Sequence, residues 1–441
     1  MTDETPTGAP RRLTRRALLA GGAAAVGAGG LGTLFRARQA DDAAATVPWS
    51  RIGAVDMRGG LSAYWNVRGG DDEANRRSAR EHGFQIVDIV NTYADYPGRQ
   101  RENISTFLKG NRTNPWNKPL FFERIVRRNI AAKSGGAIFV NDIEFSFEED
   151  ADAAWEDPAA RAASGVETKA EFAEAYYGEW ASWFYLPCKW ARELHPGQPE
   201  GLYGAQPFRR DYYGIAGKTA QQIDGTHASD ARLWQYIDPY VDFYVASVYV
   251  FYDRPDSVFY LAANVEENYQ RTRRYGDRPL YAYFWLRYHD SNRVLRGQEL
   301  APYLVEAGAA VPYFCGARGV VLWGSEAAHR GQYYRSLPLY VASLRRVAGL
   351  SETIGRATPA SDEPAHVAWR ERRPLVRKLR VSESEWILLA ANPWQDEVST
   401  STLRAACGRR TYSLDVRGRH TEIYHAQGAS VRRLPLPEPA T

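Results

Sequence analysis

The sequence predicts an α/β fold, a distorted (β/α) barrel of the TIM type followed by a small C-terminal all-β domain. The chain has 441 residues and is 44% hydrophobic, which is enough for one large domain and one small domain. Strand-like and helix-like segments alternate between residues 61 and 325, which favours a barrel over an open sheet. Beyond residue 364 the segments become short and strand-like.

Seven segments have the composition of barrel strands. Several of them are near-continuous apolar runs, which are typical of strands buried on both faces. Because a barrel of this type is built from about eight strands, seven clear ones indicate a distorted barrel with one strand weak or missing. The segments are Leu61–Val67, Phe84–Asn91, Gly136–Phe145, Gly201–Gln206, Phe243–Val250, Pro279–Leu286 and Gly319–Ser325.

Helical segments separate these strands. The clearest is Lys169–Leu194, in which large aromatic residues recur at a spacing that predicts one buried face. Pro187 lies inside this segment and is expected to kink or break the helix. A second helix is predicted at Ala301–Ala309.

The first 45 residues are predicted to be a signal peptide for export. Thr14–Leu19 resembles the twin-arginine motif, a Gly- and Ala-rich stretch follows it, and Ala43–Ala45 suits cleavage. The alternative is an uncleaved membrane anchor, which the many glycines disfavour. We therefore expect a bacterial or archaeal protein that the twin-arginine machinery exports to the periplasm or the extracellular space. After cleavage of the signal we expect no membrane contact.

The remaining chain divides into two predicted domains. Residues 46–356 are predicted to form the barrel, and residues 357–364 a linker that contains Pro, Ser and acidic residues. Residues 365–441 are predicted to form a β-sandwich-like domain that packs against the barrel, with sugar binding as the less favoured alternative. Its short alternating runs, separated by turn signals, are Trp386–Ala391, Thr411–Val416 and Thr421–His425.

Charge and metal-ligand spacing exclude several classes of function. The formal net charge is +4, and the first 42 residues hold six Arg and four acidic residues, which leaves +2 for the rest. Since no long Lys/Arg run follows, nucleic acid is not an expected partner. The three Cys and eight His residues show no metal-ligand spacing. We expect neither a metal nor another cofactor.

One strand ends in two carboxylates, Asp142 and Glu144. Because side chains alternate along a strand, these two point the same way, while Asn141 and Ile143 point the other way. The carboxyl ends of barrel strands are where active sites form. Two close carboxylates repel, so one of them can keep its proton near neutral pH and act as a general acid. This arrangement suits glycoside hydrolysis.

Aromatic residues lie near the carboxyl ends of the other strands, and flat rings of this kind suit a sugar-binding cleft. The chain contains 13 Trp, 27 Tyr and 16 Phe residues. The segments that carry these strand-end rings are Ser62–Val67, Gly201–Gly204, Ser247–Val250, Ala282–Asp290 and Gly316–Ser325.

Taken in chain order with the Asp142–Glu144 pair, these segments resemble the hyaluronidase family (glycoside hydrolase family 56). The resemblance implies a distorted barrel that cleaves an N-acetylhexosamine-containing polysaccharide inside the chain, with retention and without a metal. The substrate's own acetamido carbonyl would be the nucleophile. Glu144 would be the acid and then the base, and Asp142 would hold the acetamido N–H. The residues implied to bind substrate are Tyr203, Tyr249, Trp323, Tyr283, Trp285 and Asp290, with Tyr249 on the acetamido oxygen.

The sequence departs from the family just after the catalytic pair. The family has an aromatic–Arg–Pro segment there, whereas this chain reads Phe145-Ser146-Phe147 and has no Arg. Such an Arg would suit the carboxylates of an acidic polymer. Four other arginines are candidates to replace it: Arg209, Arg210, Arg254 and Arg287.

Two alternative functions stay open. The first is a different barrel glycosidase with a protein nucleophile, in which Glu144 acts together with a carboxylate such as Glu326. The second is a barrel that binds cell-surface glycan without cleaving it. In all three hypotheses the partner is a polysaccharide.

Overall fold

The computed structural model describes residue 47 and residues 49–68, 72–94, 104–145, 150–204, 215–273, 276–325 and 334–437. The predicted signal peptide lies outside these residues. Ser146, Arg209, Arg210 and Glu326 lie outside them as well.

The seven predicted strands form one parallel sheet that is nearly closed into a barrel. Its spatial order is β4-β3-β2-β1-β7-β6-β5, so the strands follow one another around the barrel in chain order. This confirms the predicted fold class. The strands are β1 (Ser62–Arg68), β2 (Gln85–Asn91), β3 (Ile138–Asp142), β4 (Glu200–Tyr203), β5 (Tyr244–Ser247), β6 (Leu280–Trp285) and β7 (Gly319–Ser325).

The barrel closes between β4 and β5 through little more than one isolated bridge. Gly201 bridges Phe243 in parallel fashion, and the Asp242 amide donates to the Glu200 carbonyl at 2.7 Å. A Cβ atom at Gly201 would lie 2.1 Å from the Phe243 ring, so glycine is required for this approach. This short contact between β4 and β5 is the distortion of the barrel, which the sequence predicts because it contains only seven clear strands.

Helices follow the strands around the outside of the barrel. Most of them are amphipathic or buried on one side, as barrel helices must be. They are α1 (Asp72–Glu81), α2 (Ile104–Lys109), α3 (Phe122–Ala131), α4 (Ala151–Trp155), α5 (Pro158–Ser164), α6 (Lys169–Leu194), α7 (Ala220–Ile237), α8 (Asp256–Thr272), α9 (Pro302–Phe314), α10 (Leu337–Ala348), α11 (Ser351–Arg356) and α12 (Ala365–Arg370). Within the described residues, none of these helices meets the length and hydropathy needed to cross a bilayer.

Helix α6 has the predicted bounds and continues past Pro187 without a break. A proline at this position leaves the carbonyl of Trp183, one turn earlier, without its helical N–H donor. The Tyr93 hydroxyl donates to that carbonyl instead. A side chain from outside the helix therefore satisfies the group that the proline leaves open.

The C-terminal region is all-β apart from α12 and packs in two layers. A five-stranded sheet has the order β14-β13-β10-β9-β8, and β11 and β12 form a hairpin beside it. The sequence predicts only three of these strands. The full set is β8 (Thr358–Pro359), β9 (Leu375–Arg380), β10 (Glu385–Ala391), β11 (Thr400–Cys407), β12 (Arg410–Arg417), β13 (Thr421–Gln427) and β14 (Ser430–Leu434).

The two faces of the five-stranded sheet belong to different cores. Ile387 and Leu389 of β10 belong to the same core as the barrel, while Trp386 and Leu388 pack with the hairpin around Tyr412. This alternation is what a strand buried on both faces requires. One face of the sheet therefore packs on the barrel through a continuous apolar core.

Candidate active site

Asp142 and Glu144 lie at the carboxyl end of β3. Asp142 is paired with Asn91 of β2 and Tyr203 of β4, and the Ile143 amide donates to the Tyr203 carbonyl at 2.9 Å. Ile143 is buried, whereas Asp142 and Glu144 are each partly exposed. The strand thus buries one side and presents both carboxylates toward the barrel mouth.

Asn141 demonstrates the alternation, since it points away from the barrel interior. Its side-chain amide donates to Glu200 Oε1 at 2.6 Å, and its carbonyl oxygen accepts from the Thr92 hydroxyl at 2.7 Å. All three of these residues are buried. This network holds the end of β3 against β2 and β4 and fixes the direction of the two carboxylates.

Glu144 is also held by the glycine that follows β4. Gly204 has a φ of +85°, and a Cβ there would lie 2.8 Å from both the Glu144 Cγ atom and the Ile143 carbonyl oxygen. Only glycine adopts this backbone and leaves this space readily. The chain therefore lets the Glu144 side chain lie directly against the backbone of the next strand.

Three tyrosines face the carboxylates, from β4, from just after β5 and from β6. The Tyr203 ring lies 5.1 Å from the Tyr283 ring and 6.3 Å from the Tyr249 ring. The Tyr203 hydroxyl donates to Ser247 Oγ at 3.0 Å. All three rings are at least 92% buried, since their exposed fractions are 5%, 8% and 0% for Tyr203, Tyr249 and Tyr283.

Electrostatics link each carboxylate to one of these tyrosines. Burial raises the pKa of Tyr249 well above its ordinary value, and Tyr203, Tyr283 and the charge of Glu144 raise it further. Burial also raises the pKa of Tyr283, and the charge of Asp142 adds to this effect. Both hydroxyls therefore stay protonated at neutral pH and remain able to donate a hydrogen bond.

Two tryptophans form the adjoining wall. Trp285 and Trp323 meet edge to face at 4.9 Å and 86°, and the Trp323 ring lies 5.5 Å from Tyr249. Trp285 is buried and donates its Nε1–H to the Tyr334 hydroxyl at 2.8 Å, while Trp323 is partly exposed. Trp323 can thus present a ring to a ligand, and Trp285 supports it.

The last predicted residue, Asp290, follows β6 and is partly exposed. Its nearest described cation is Arg296, 3.9 Å away. The preceding residue, His289, stacks on Tyr249 at 5.9 Å with an interplanar angle of 22°. The structure thus joins seven of the eight predicted residues through ring contacts and electrostatics, and it places Asp290 beside His289 at the edge of the set.

Several residues of the site were not predicted. Ser247, His289 and Tyr334 contact predicted rings, yet each contact joins different strands or loops and has no local sequence signal. Asn66 and Arg68 are different, because they follow Tyr64 on β1 with the period of two that marks one strand face. Alternation along β1 would have identified both.

The two described arginine candidates do not line the pocket. Arg287 is buried, donates to the Gly297 carbonyl at 2.6 Å and lies over the Tyr334 ring. Arg254 is exposed and lies over the Tyr252 ring at 4.4 Å. Over the described part of the chain, no group of three or more His, Cys, Asp or Glu side chains is placed to hold a metal ion.

No protein-family model and no curated protein sequence matches this chain. Among solved structures, bee venom hyaluronidase is 14% identical with a TM-score of 0.46, over 65% of this chain and 99% of that one. Its complex with a hyaluronic acid tetramer is 15% identical with a TM-score of 0.41, over 60% and 91%. An endo-β-1,4-mannanase from Cellulomonas fimi is 11% identical with a TM-score of 0.34, over 82% and 78%.

Proposed function

We propose that this chain is an exported glycoside hydrolase that cleaves an N-acetylhexosamine-containing polysaccharide with retention. The observation that carries the proposal is the placement of two carboxylates on one face of the β3 end, opposite three buried tyrosines, of which Tyr249 and Tyr283 have raised pKa values and stay protonated. An acid and hydrogen-bond donors thus share one pocket that is walled by aromatic rings. The hyaluronidase-like order of motifs along the sequence supports the same reaction.

In the proposed reaction the substrate supplies its own nucleophile. The acetamido carbonyl oxygen attacks the anomeric carbon, the bond from that carbon to the glycosidic oxygen breaks, and the Glu144 proton passes to the leaving oxygen. The product of this step is a cyclic oxazolinium ion. Glu144, now a carboxylate, then takes a proton from water as the water oxygen attacks the anomeric carbon and the ring opens with net retention.

The other groups orient the acetamido group and stabilise its charge. Asp142 accepts a hydrogen bond from the acetamido N–H. As a fixed carboxylate in a partly buried site, it also stabilises the positive charge that develops on the ring. The Tyr249 hydroxyl donates a hydrogen bond to the acetamido oxygen and so aligns that oxygen for attack. The raised pKa of Tyr249 keeps this donor protonated throughout the neutral range.

The test is a reducing-end release assay on hyaluronan, chondroitin, chitin oligomers, peptidoglycan and neutral glycans without acetamido groups. The Glu144→Gln variant keeps the shape of the side chain and removes the transferable proton, so its kcat should fall by about 10²- to 10⁴-fold. Glu156→Gln is the matched control, because Glu156 is exposed and lies beyond the pocket, at the end of α4. Activity of Glu144→Gln equal to that of the control would refute the mechanism.

The remaining outcomes separate the alternatives. Cleavage of a neutral glycan, with indifference to a thiazoline inhibitor, would favour a protein nucleophile. Glycan binding without turnover, unaffected by loss of both carboxylates, would favour a binding protein. Export is tested separately, by replacing Arg15 and Arg16 with Lys and measuring whether the protein still leaves the cytoplasm.

A further inference from the structure

Arg68 is the last residue of β1 and continues the inward-facing row of that strand. Tyr64, four residues earlier, packs against Tyr281 of β6 inside the barrel at 4.9 Å. Asn66, two residues earlier, lies close enough to the Tyr283 hydroxyl to affect its pKa. Side chains alternate along a strand, so Arg68 lies on the same face, at the mouth of the barrel.

The charge of Arg68 reaches the pocket. Burial and the charge of Asp142 raise the pKa of Tyr283, while the positive charge of Arg68 opposes that rise. One buried hydroxyl thus responds both to the carboxylate at the end of β3 and to the arginine at the end of β1. Its position on the inward face of β1, together with this charge effect, places Arg68 on the same side of the barrel as the carboxylate that is proposed to hold the acetamido group.

Most N–H donors of the Arg68 guanidinium have no hydrogen-bond acceptor among the described residues. It has five N–H bonds, and one of them is directed at the Ile89 carbonyl at 3.2 Å. In the described ranges no carboxylate lies within 4.0 Å of it. Arg76, on the neighbouring helix α1, differs because its guanidinium lies 2.9 Å from the buried carboxylate of Asp88.

Two buried polar atoms lie close to each other beside this site. They are the Tyr283 hydroxyl and the Asn66 side-chain nitrogen, and neither forms a hydrogen bond of normal geometry with any described residue. Buried donors usually have partners, and exceptions in a pocket indicate where a ligand supplies them. Together with Arg68 they form a row of three donors, from Tyr283 through Asn66 to the pocket mouth.

We propose that Arg68 is an anion receptor, and that the N-acetylhexosamine bound beside Asp142 itself carries an acidic substituent. This inference rests on the proposed function and goes further, because it assigns the negative charge to the sugar that is cleaved rather than to its neighbour. The acidic group is an oxyacid, either a sulfate ester or a carboxylate on an ether side chain. Guanidinium groups bind both in the same bidentate manner.

The experiment compares wild type with Arg68→Met, which keeps the length of the side chain and removes its charge. The substrates are chitin oligomers (neutral), chondroitin sulfate (sulfated N-acetylhexosamine) and peptidoglycan glycan strands (N-acetylhexosamine with a lactyl carboxylate). We expect a loss of about 10- to 100-fold in kcat/KM, mainly through KM, on one of the two charged substrates. Activity on chitin oligomers should fall by a smaller factor, so the ratio of kcat/KM on that charged substrate to kcat/KM on chitin oligomers should drop by about tenfold. Whichever charged substrate loses more names the group that Arg68 binds. Unsulfated chondroitin, which has the same neighbouring glucuronate and no sulfate, should lose no more than chitin oligomers; a loss on it equal to that on chondroitin sulfate would place the charge on the neighbouring sugar and overturn the proposal.

Two further variants are controls. Arg68→Lys keeps the charge and should keep most of the preference for the charged substrate over chitin oligomers. Arg254→Met removes an exposed cation that lies outside the pocket. Equal losses on neutral and charged substrates with Arg68→Met would overturn the proposal, because Arg68 would then act on the pocket's own carboxylates, Asp142 and Glu144, and not on an acidic group of the substrate. Undiminished activity on both charged substrates would overturn it as well.

A failure of the proposed function is distinguishable from a failure of this inference. If the wild type cleaves no glycan, the hydrolase proposal fails, but the receptor is still testable by calorimetry with N-acetylglucosamine, its 6-sulfate and N-acetylmuramic acid, which carries the lactyl carboxylate. Tighter binding of one of the two acidic sugars by wild type, lost in Arg68→Met, would support the receptor. Equal affinities for all three sugars would overturn it.

Discussion

Two buried clusters of ionisable side chains in this chain differ in whether their acidic groups are paired with basic ones. The first lies between the barrel and the C-terminal sheet and is built on Glu266 and Glu267 of α8. His227 Nε2 and His366 Nδ1 lie 3.1 and 3.4 Å from the two Glu267 carboxylate oxygens. Arg377 Nη1 lies 3.1 Å from Glu266 Oε1. Each acid in this cluster thus has a basic partner from another element.

The second cluster is the pocket at the carboxyl ends of the barrel strands. There the described neighbours of Asp142 and Glu144 include tyrosines that remain neutral, and the uncharged side chain of Asn66 lies close to the Tyr283 hydroxyl. Buried polar groups therefore have two roles in this chain. Opposite charges hold elements of the fold together, whereas neutral hydroxyls beside carboxylates stay able to donate to a ligand.

The largest expected effect concerns the paired cluster. Glu267→Gln removes the carboxylate between His227 and His366 and should lower the free energy of unfolding by about 3–5 kcal/mol. At a temperature where the variant is folded, its KM should equal that of wild type. Urea denaturation followed by circular dichroism measures the first quantity. A loss below about 1 kcal/mol would mean that this cluster contributes no more than a surface pair.

The same cluster predicts acid sensitivity. Burial raises the pKa of Glu267, but hydrogen bonds from His227 and His366 outweigh it and lower the pKa to about 2. Because the pKa of Glu267 is lower in the folded protein than the value of 4.5 in the unfolded chain, its carboxylate stabilises the fold at pH values above 4.5. This contribution is lost as the pH falls from 4.5 towards 2. We expect a loss on the order of 3 kcal/mol over that range.

The control for this prediction is Glu267→Gln itself. The neighbouring Glu266 has a pKa that burial raises, so its own contribution changes with pH in the opposite sense. Subtracting the pH profile of the variant from that of wild type leaves the Glu267 contribution. Parallel profiles would show that Glu267 does not titrate as predicted.

The smallest expected effect comes from removing single hydroxyls, one in the pocket and one elsewhere in the barrel that has a hydrogen-bond partner. Tyr283→Phe deletes a hydroxyl without a described partner, so stability should change by less than about 0.5 kcal/mol while kcat/KM falls about tenfold. Tyr313→Phe is the matched control, since that hydroxyl donates to the Ser62 carbonyl at 2.7 Å. It should lose about 1 kcal/mol of stability and keep its kcat/KM. The reverse pattern would show that the Tyr283 hydroxyl serves the fold and not the ligand.

The parts of the fold that were predictable are those with a local signal. The barrel strands are apolar runs, and the orientation of Asp142 and Glu144 follows from alternation alone. Strand β9 escaped prediction because its sequence contains Arg377 and Lys378, which suggest a solvated segment. Both are buried, and Arg377 is paired with Glu266, a residue that is distant in the chain. No sequence window contains both partners.

The same limit applies to the site. Rings at strand ends were predictable one at a time, whereas the contacts of Tyr334 with Trp285 and of His289 with Tyr249 depend on how the barrel closes. Loop residues reach the pocket only after the strands have brought their ends together. Sequence alone therefore identified rings and carboxylates at or near strand ends, and it missed Tyr334 and His289, whose contacts with those rings form only when the barrel closes.

The close approach of Gly204 to Glu144 has a consequence for the timing of entropy loss. A free glutamate side chain loses up to about 2 kcal/mol of rotamer entropy when it is fixed in one position. Because the Glu144 Cγ lies against the backbone of Gly204, part of that freedom is removed when the chain folds. An arriving substrate then meets an acid that is already restrained, and less of its binding energy goes into ordering the enzyme.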